Sequence, residues 1–290
     1  MNSLVTLLAL PALVLAAPAT LQLPFSSPPS LSSSNPSPFE AALANARFVN
    51  VQLGVMSRCP DAQLCEAVFD RVLETKVEVP LAGREGTKAQ TSVGELVEMG
   101  MIYIGRENST ASYGADCMHG DLECRGNVQQ LCAAKHWGGG VDEVKAMVGG
   151  PKGKQGWDTW WNFVQCINYG ETSAIGTDQR ARQCAAVVGK KWDDSLTTCV
   201  DSREGRHLLV DSVREAKKLE ITKSCTVLIE GKQVCIHDGT WKSCPIGHEV
   251  ADFAKAIKEE FLLLNPSFGM EEPEEDAGPD ELGGWVLVEA

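Results

Sequence analysis

The sequence predicts an α/β (α+β) domain, and three observations carry that prediction. An apolar, valine-rich run from Phe48 to Met56 leads at once into a helical pattern from Asp61 to Thr75. A second strand-like run, Met99–Ile104, is followed by a block of helical patterns. A hairpin signal (Thr226–Ile229, a turn at Glu230-Gly231-Lys232, then Gln233–Ile236) and an amphipathic helix over Val250–Leu264 come last.

Taken in order, the chain opens on an apolar run, Leu4–Ala16, followed by small residues at Ala16, Ala17 and Ala19. The run is too short to span a bilayer and reads as a secretory signal peptide, residues 1–17. Pro18–Pro38 is rich in Ser and Pro and nearly uncharged, which predicts a linker or propeptide with too little to bury. The folded domain is expected over residues 39–264, and 290 residues suffice for a real core. After Asn265-Pro266 the chain is acidic and broken by Pro and Gly, so residues 265–290 read as a spacer tail. This tail holds much of the net charge of −13; the rest is only mildly acidic, and no basic patch points to nucleic acid. No membrane association is expected once the signal peptide is removed.

Eleven cysteines behind a signal peptide predict an oxidising compartment, extracellular or lysosomal/vacuolar, with structural disulfides. The odd count leaves at least one thiol unpaired within the chain. Asn108-Ser109-Thr110 is the single N-glycosylation sequon, because Asn265 is followed by Pro266.

Phe48–Met56 has the Val content of a buried strand. In the helix that follows, Leu64, Val68 and Val72 recur every four residues, as do Cys65, Phe69 and Leu73, which gives a broad apolar face. Cys59 stands in the turn between the two elements. A helix N-terminus carries partial positive charge and favours thiolate over thiol there, so Cys59 is the candidate nucleophile. Lys76–Ala82 reads as a short strand and Gly83–Gln90 as a polar loop. Helices are expected at about Asn127–Lys135, Asp158–Tyr169, Asp178–Val188 and Arg206–Lys218, with a glycine-rich connection between the first two. Strand, helix, strand, helical block, hairpin and helix is the order of a thioredoxin-like fold with a helical insertion at about residues 125–220, stapled by disulfides.

The run Cys117-Met118-His119-Gly120-Asp121-Leu122-Glu123-Cys124-Arg125-Gly126-Asn127-Val128-Gln129-Gln130-Leu131-Cys132 is the most specific stretch. It resembles the signature C-Q-H-G-x-x-E-C-x-x-N-x-x-x-x-C of the gamma-interferon-inducible lysosomal thiol reductase family, and only Met118 departs from it. The resemblance runs from about Phe48 to Phe261, and the Cys59-Pro60-Asp61-Ala62 opening is most similar to fungal members. Residues 77–98 are longer than the usual connection in that family. The resemblance implies a thiol–disulfide oxidoreductase that reduces protein disulfides with a Cys-x-x-Cys pair. Cys59 matches the attacking cysteine, and Ala62 stands where the resolving cysteine belongs. Cys117, His119, Gly120, Glu123, Cys124, Asn127 and Cys132 become site candidates by that resemblance. In the residues alone, His119 and Glu123 equally suit a capped turn leading into a helix.

Two cysteines are candidates to resolve a Cys59 mixed disulfide. Six residues of regular helix rise about 9 Å, and a disulfide needs Cα atoms roughly 4.4–6.8 Å apart, so Cys65 requires an irregular first turn. Cys65 also lies on the apolar stripe, where a core role suffices. Cys225 falls where thioredoxin folds place a cis-proline facing the nucleophile. Its peptide is expected to be trans, because a non-proline cis bond costs about 2.5–4 kcal/mol. Cys225 either resolves Cys59 or braces the hairpin through Cys235 or Cys244. Cys166, Cys184 and Cys199 are expected to staple the helical insertion.

Cys117, Cys124 and Cys132 lie seven and eight positions apart, a poor match to the close pairs of zinc sites, so disulfides are expected and no metal. His136, His207, His237 and His248 form no spaced pattern. Phosphate-loop, dinucleotide and Gly-x-Ser-x-Gly motifs are absent from the sequence, and no cofactor is expected. The expected partners are disulfide-containing proteins. Loss of the second cysteine leaves one alternative, a secreted thioredoxin-fold module that binds proteins without catalysis.

Overall fold

The computed structural model describes residues 37–81, 86–138 and 156–268, all within one compact unit that begins at Pro36. The expected signal peptide, most of the Ser/Pro linker and the expected tail beyond Phe268 lie outside the described residues, whereas residues 265–268 of that tail are folded, with Asn265 and Phe268 buried. No described helix is long and apolar enough to cross a membrane.

A short helix, α1 (Pro38–Leu43), precedes the first strand, β1 (Val49–Val55). Val49, Val51, Leu53 and Val55 are fully buried, as a central strand requires. The next helix, α2 (Pro60–Glu74), starts with proline at its first position, where the missing N–H costs nothing. Its buried face is Ala62, Cys65, Glu66, Val68, Phe69, Val72 and Leu73. Leu64, expected on the apolar face, is exposed instead, because burial of Ala62 and Glu66 turns the stripe away from it.

The stretch read as a strand and polar loop is a hairpin, β2 (Lys76–Pro80) with β3 (Lys88–Ser92), followed by a 3-10 turn over Val93–Leu96. It accounts for the added length between α2 and the next strand, β4 (Val97–Tyr103). Small strands β5 (Arg106–Glu107) and β6 (Ala115–Asp116) pair as a surface hairpin. Asn108 lies in that hairpin and donates through Nδ2 to Asp116 at 2.8 Å.

The helical block comprises α3 (Asp121–Trp137), α4 (Asp158–Asn168), α5 (Asp178–Val187), α6 (Asp194–Asp201) and α7 (Arg203–Lys218). Cys132–Cys199 joins α3 to α6, and Cys166–Cys184 joins α4 to α5. Phe163 and Trp192 stack with centroids 5.7 Å apart and Trp137 packs edge-on against both, giving the block its own apolar centre. α6 has no counterpart in the sequence reading. It is eight residues long, mostly polar, and set by Asp193, whose carboxylate caps Ser195 and Leu196. The last helix of the block lies along β4, where Ser212 Oγ accepts from the Tyr103 N–H at 2.7 Å.

The chain returns to the sheet as β7 (Thr226–Ile229) and β8 (Lys232–His237), with a short β9 (Trp241–Lys242), and ends in α8 (Val250–Leu264). Glu230 and Gly231 both have positive φ, the requirement of a tight two-residue hairpin turn. The sheet order is β4-β1-β7-β8-β9. β1 runs parallel to β4 and antiparallel to β7. Phe69 of α2 meets Phe253 of α8 at 4.9 Å, so these two helices share a layer over one face. Two parallel strands joined through a helix, then an antiparallel hairpin and a closing helix, define a thioredoxin-like α/β fold. The five disulfides and the helical block are built onto it.

Candidate active site

β1 delivers the chain to the turn Met56-Ser57-Arg58, and Cys59 takes the N-cap position of α2 with extended backbone. Its N–H donates to the Met56 carbonyl at 2.9 Å, and its own carbonyl accepts from Ala62 and Gln63. The thiol caps no helix N–H. Among the described residues Cys59 is the only free cysteine, and it is 9% exposed. Across from it stands the loop that enters β7: Cys59 Sγ lies 3.9 Å from the Ser224 carbonyl oxygen. Ser224 Oγ also accepts from the Met56 N–H at 3.0 Å, which locks the two loops together.

The signature run forms a clasp around the residues before Cys59. Asn127 Oδ1 accepts from the Ser57 N–H at 3.0 Å. Glu123, fully buried, accepts from the Arg58 N–H at 3.3 Å and the His119 N–H at 3.2 Å, and also meets His119 Nδ1. Ser57 Oγ donates to the Glu123 carbonyl, and Arg58 reaches the carbonyls of His119 and Thr172. Gly120, at φ +83, caps the start of α3, so this helix begins six residues earlier than the apolar pattern at Asn127 predicts. A side chain at Gly126 would strike Ser57 Oγ and Ile175, so glycine there lets α3 approach the turn. Cys117 and Cys124 are joined, which pins the clasp to itself. The structure thus turns four signature residues, His119, Gly120, Glu123 and Asn127, into supports of the Cys59 turn. Glu123 and His119 contact each other, and both reach Arg58 beside Cys59.

The two candidate resolving thiols are bonded to each other: Cys65 to Cys225, with Cα atoms 6.2 Å apart. This corrects the expected pairings of Cys225. The cause is the helical rise: Cys65 is carried about 1.7 turns away from Cys59 and arrives opposite Cys225. The hairpin brace is Cys235–Cys244, without Cys225. The Ser224–Cys225 peptide is cis rather than the expected trans. Tertiary hydrogen bonds hold both sides of it, from Met56 to Ser224 and between Cys225 and His237.

His237 enters the site through sheet register. Cys225 and His237 exchange both N–H···O bonds, at 2.9 and 2.8 Å, so their side chains share one face. That face looks onto α2, where Asp61 Oδ1 lies 2.6 Å from His237 Nδ1 and accepts from the Gly239 N–H at 2.9 Å. No histidine spacing foretold this contact; counting back from the Glu230-Gly231 turn sets Cys225 opposite Ile236, and the register shift between Val227 and Leu228 brings His237 there instead. Ala62, where the resembled family has its second cysteine, is fully buried and brings no sulfur.

A second buried group lies one turn beyond Ala62. Glu66 meets Asn168 Nδ2, while Glu66 Oε1 and Asn168 Oδ1 are buried without a hydrogen-bond partner. Burial raises the Glu66 carboxyl to about 8, against the opposing pull of the Asn168 amide.

A cysteine at a helix N-terminus, faced by the loop before an antiparallel strand, is the site of a thioredoxin-like thiol protein. Residues 50–188 match the family model described as gamma interferon inducible lysosomal thiol reductase (GILT), which supports a member of that family. No curated protein matches the sequence. Among solved structures, a thioredoxin-like oxidoreductase from Silicibacter pomeroyi DSS-3 is similar at 12% identity and a TM-score of 0.42, covering 73% of this chain and 86% of its own. MdbA, a thiol-disulfide oxidoreductase from Corynebacterium diphtheriae, is similar at 14% identity and a TM-score of 0.42, covering 73% and 85%.

Proposed function

We propose that this chain is a thiol–disulfide oxidoreductase that reduces disulfides of protein substrates, with Cys59 as nucleophile. The observation that carries the reading is the free Cys59 thiol at the N-terminus of α2, held in place by the family signature. The Cys59 thiolate attacks one sulfur of a substrate disulfide. A new sulfur–sulfur bond forms, the substrate bond breaks, and the departing substrate thiolate takes a proton from solvent. Five disulfides and a signal-peptide-like start support a secretory setting, extracellular or lysosomal/vacuolar, with glycosylation at Asn108.

The competing reading is a protein-binding module without catalysis. It is favoured by one observation: Ala62 supplies no thiol, and the nearest others are bonded to each other. Reduction of insulin by the wild-type chain and by Cys59→Ser, with a small thiol as reductant, separates the two. Activity lost in Cys59→Ser supports the enzyme; equal rates in both proteins overturn it.

A further inference from the structure

We propose that Cys65–Cys225 is the redox-active disulfide of this site and that Cys59 is the thiol through which it exchanges electrons with protein substrates. The proposal rests on Cys59 being the nucleophile. It adds where the two electrons of the reaction are stored when Ala62 cannot hold a resolving sulfur.

Placement sets the order of the three sulfurs. Cys59 Sγ touches the carbonyl of the Ser224–Cys225 peptide, so it faces the backbone that carries Cys225. Cys225 is in turn bonded to Cys65. Cys225 is therefore the middle member: its backbone faces Cys59 and its sulfur is bonded to Cys65, and the helical rise keeps those two cysteines about 9 Å apart along the axis. Exposure gives the direction: Cys59 retains 9%, while Cys65 and Cys225 have none. A protein disulfide arriving from solvent meets Cys59 and not the pair behind it. The other four disulfides join cysteines of the helical block, the clasp and the outer hairpin, and none involves the Ser224 loop.

Starting from three thiols, the Cys59 thiolate attacks a substrate disulfide and forms a mixed disulfide, releasing the first substrate thiolate to be protonated. The Cys225 thiolate then attacks Cys59 Sγ, forming Cys59–Cys225 and releasing the second substrate thiol. The Cys65 thiolate attacks Cys225 Sγ, forming Cys65–Cys225 and returning Cys59 as a free thiol. The substrate disulfide gains two electrons and the Cys65–Cys225 pair loses them. Two molecules of a low-molecular-weight thiol, oxidised to their own disulfide, reverse the exchange and restore the three thiols. The free Cys59 and bonded Cys65–Cys225 of this structure are then the oxidised state of the cycle.

The test counts and maps thiols. The native wild-type chain is treated with a dithiol reductant, freed of it, mixed with insulin, quenched with an alkylating agent and mapped without reduction. Three thiols per chain are expected after reduction (Cys59, Cys65 and Cys225), and one, Cys59, after insulin. In Cys65→Ser a Cys59–Cys225 bond is expected to accumulate, and in Cys59→Ser re-formation of Cys65–Cys225 by insulin is expected to slow roughly tenfold or more. If Cys65→Ser does not fold, the wild-type count and the Cys59→Ser rate still decide. Cys65–Cys225 remaining bonded while Cys59-dependent insulin reduction proceeds would overturn the relay and leave the enzyme reading standing. Re-formation of the pair at the wild-type rate in Cys59→Ser would overturn the relay as well. Absence of any Cys59-dependent reduction would instead remove the reading on which it rests.

Discussion

Asp61 and His237 meet at 2.6 Å across the gap between α2 and the outer hairpin, one helical turn before Cys65 makes its bond to Cys225. A polar contact and a covalent one thus clamp the same helix to two residues that oppose each other in the sheet. The first turn of α2, which carries Cys59, is held by this clamp on one side and by the Glu123–Asn127 clasp on the other.

Removing the Asp61 half of the clamp has a defined cost. Asp61→Ala takes away the acceptor for the Gly239 N–H and the partner of a nearly buried imidazole. A loss of about 1–3 kcal/mol is expected from leaving such groups unpaired. It is read as a lower urea midpoint, and an unchanged midpoint would contradict the role given to Asp61.

The clasp predicts an effect on rate. Glu123→Ala leaves the Arg58 and His119 N–H groups without their acceptor. The turn before Cys59 then loses its fixed position, and insulin reduction is expected to fall about tenfold or more at saturating substrate. Far-ultraviolet circular dichroism should stay close to wild type, since the Cys117–Cys124 bond still closes the clasp. Full activity in a folded Glu123→Ala chain would show that the signature does not position the nucleophile.

Much of this arrangement was legible in the sequence because it is local. The valines of β1, the four-residue recurrence in α2 and the Glu230-Gly231 turn each follow from short-range periodicity or backbone preference. What escaped is long-range. Cys65 and Cys225 are 160 residues apart, and their pairing follows from where α2 crosses the sheet. The Asp61–His237 contact needs the same crossing plus the hairpin register. Glu66 breaks the pattern outright: a glutamate on an apolar face reads as polar surface, yet it is 1% exposed. The β2–β3 hairpin was half missed because the sequence between its strands is polar and glycine-bearing, which signals a loop over the whole stretch.

Ala62 offers a gain-of-function variant. Ala62→Cys places a second thiol three residues after Cys59, with Cα atoms about 5 Å apart in a helix, within the span of a disulfide. Insulin reduction is expected to rise above wild type, and in the oxidised chain Cys59 is expected to be bonded to the introduced sulfur. An inactive or unchanged Ala62→Cys protein, folded as judged by its urea midpoint, would mean that the site lacks more than one sulfur.

Glu66 sets a pH dependence of stability. Its carboxyl is raised from 4.5 to about 8 by burial, so the folded chain keeps a proton that the unfolded chain releases. The stabilisation is full below about 4.5, declines as pH rises, and is gone once pH passes about 8. Neutral Glu66 also supplies a donor where Glu66 Oε1 and Asn168 Oδ1 otherwise have none. Urea midpoints at pH about 5 and about 8 should fall more between the two for wild type than for Glu66→Gln, which cannot ionise. Equal falls would contradict a protonated Glu66.

Trapping the mixed disulfide tests the identity of the nucleophile directly. The reduced wild-type chain is mixed with a disulfide-linked protein substrate, quenched in acid after a short interval, and its peptides are mapped by mass spectrometry without reduction. The substrate cysteine is predicted on the peptide that carries Cys59, and absent from Cys59→Ser. Substrate bound to Cys65 or Cys225, or an undiminished adduct in Cys59→Ser, would contradict Cys59 as the attacking thiol.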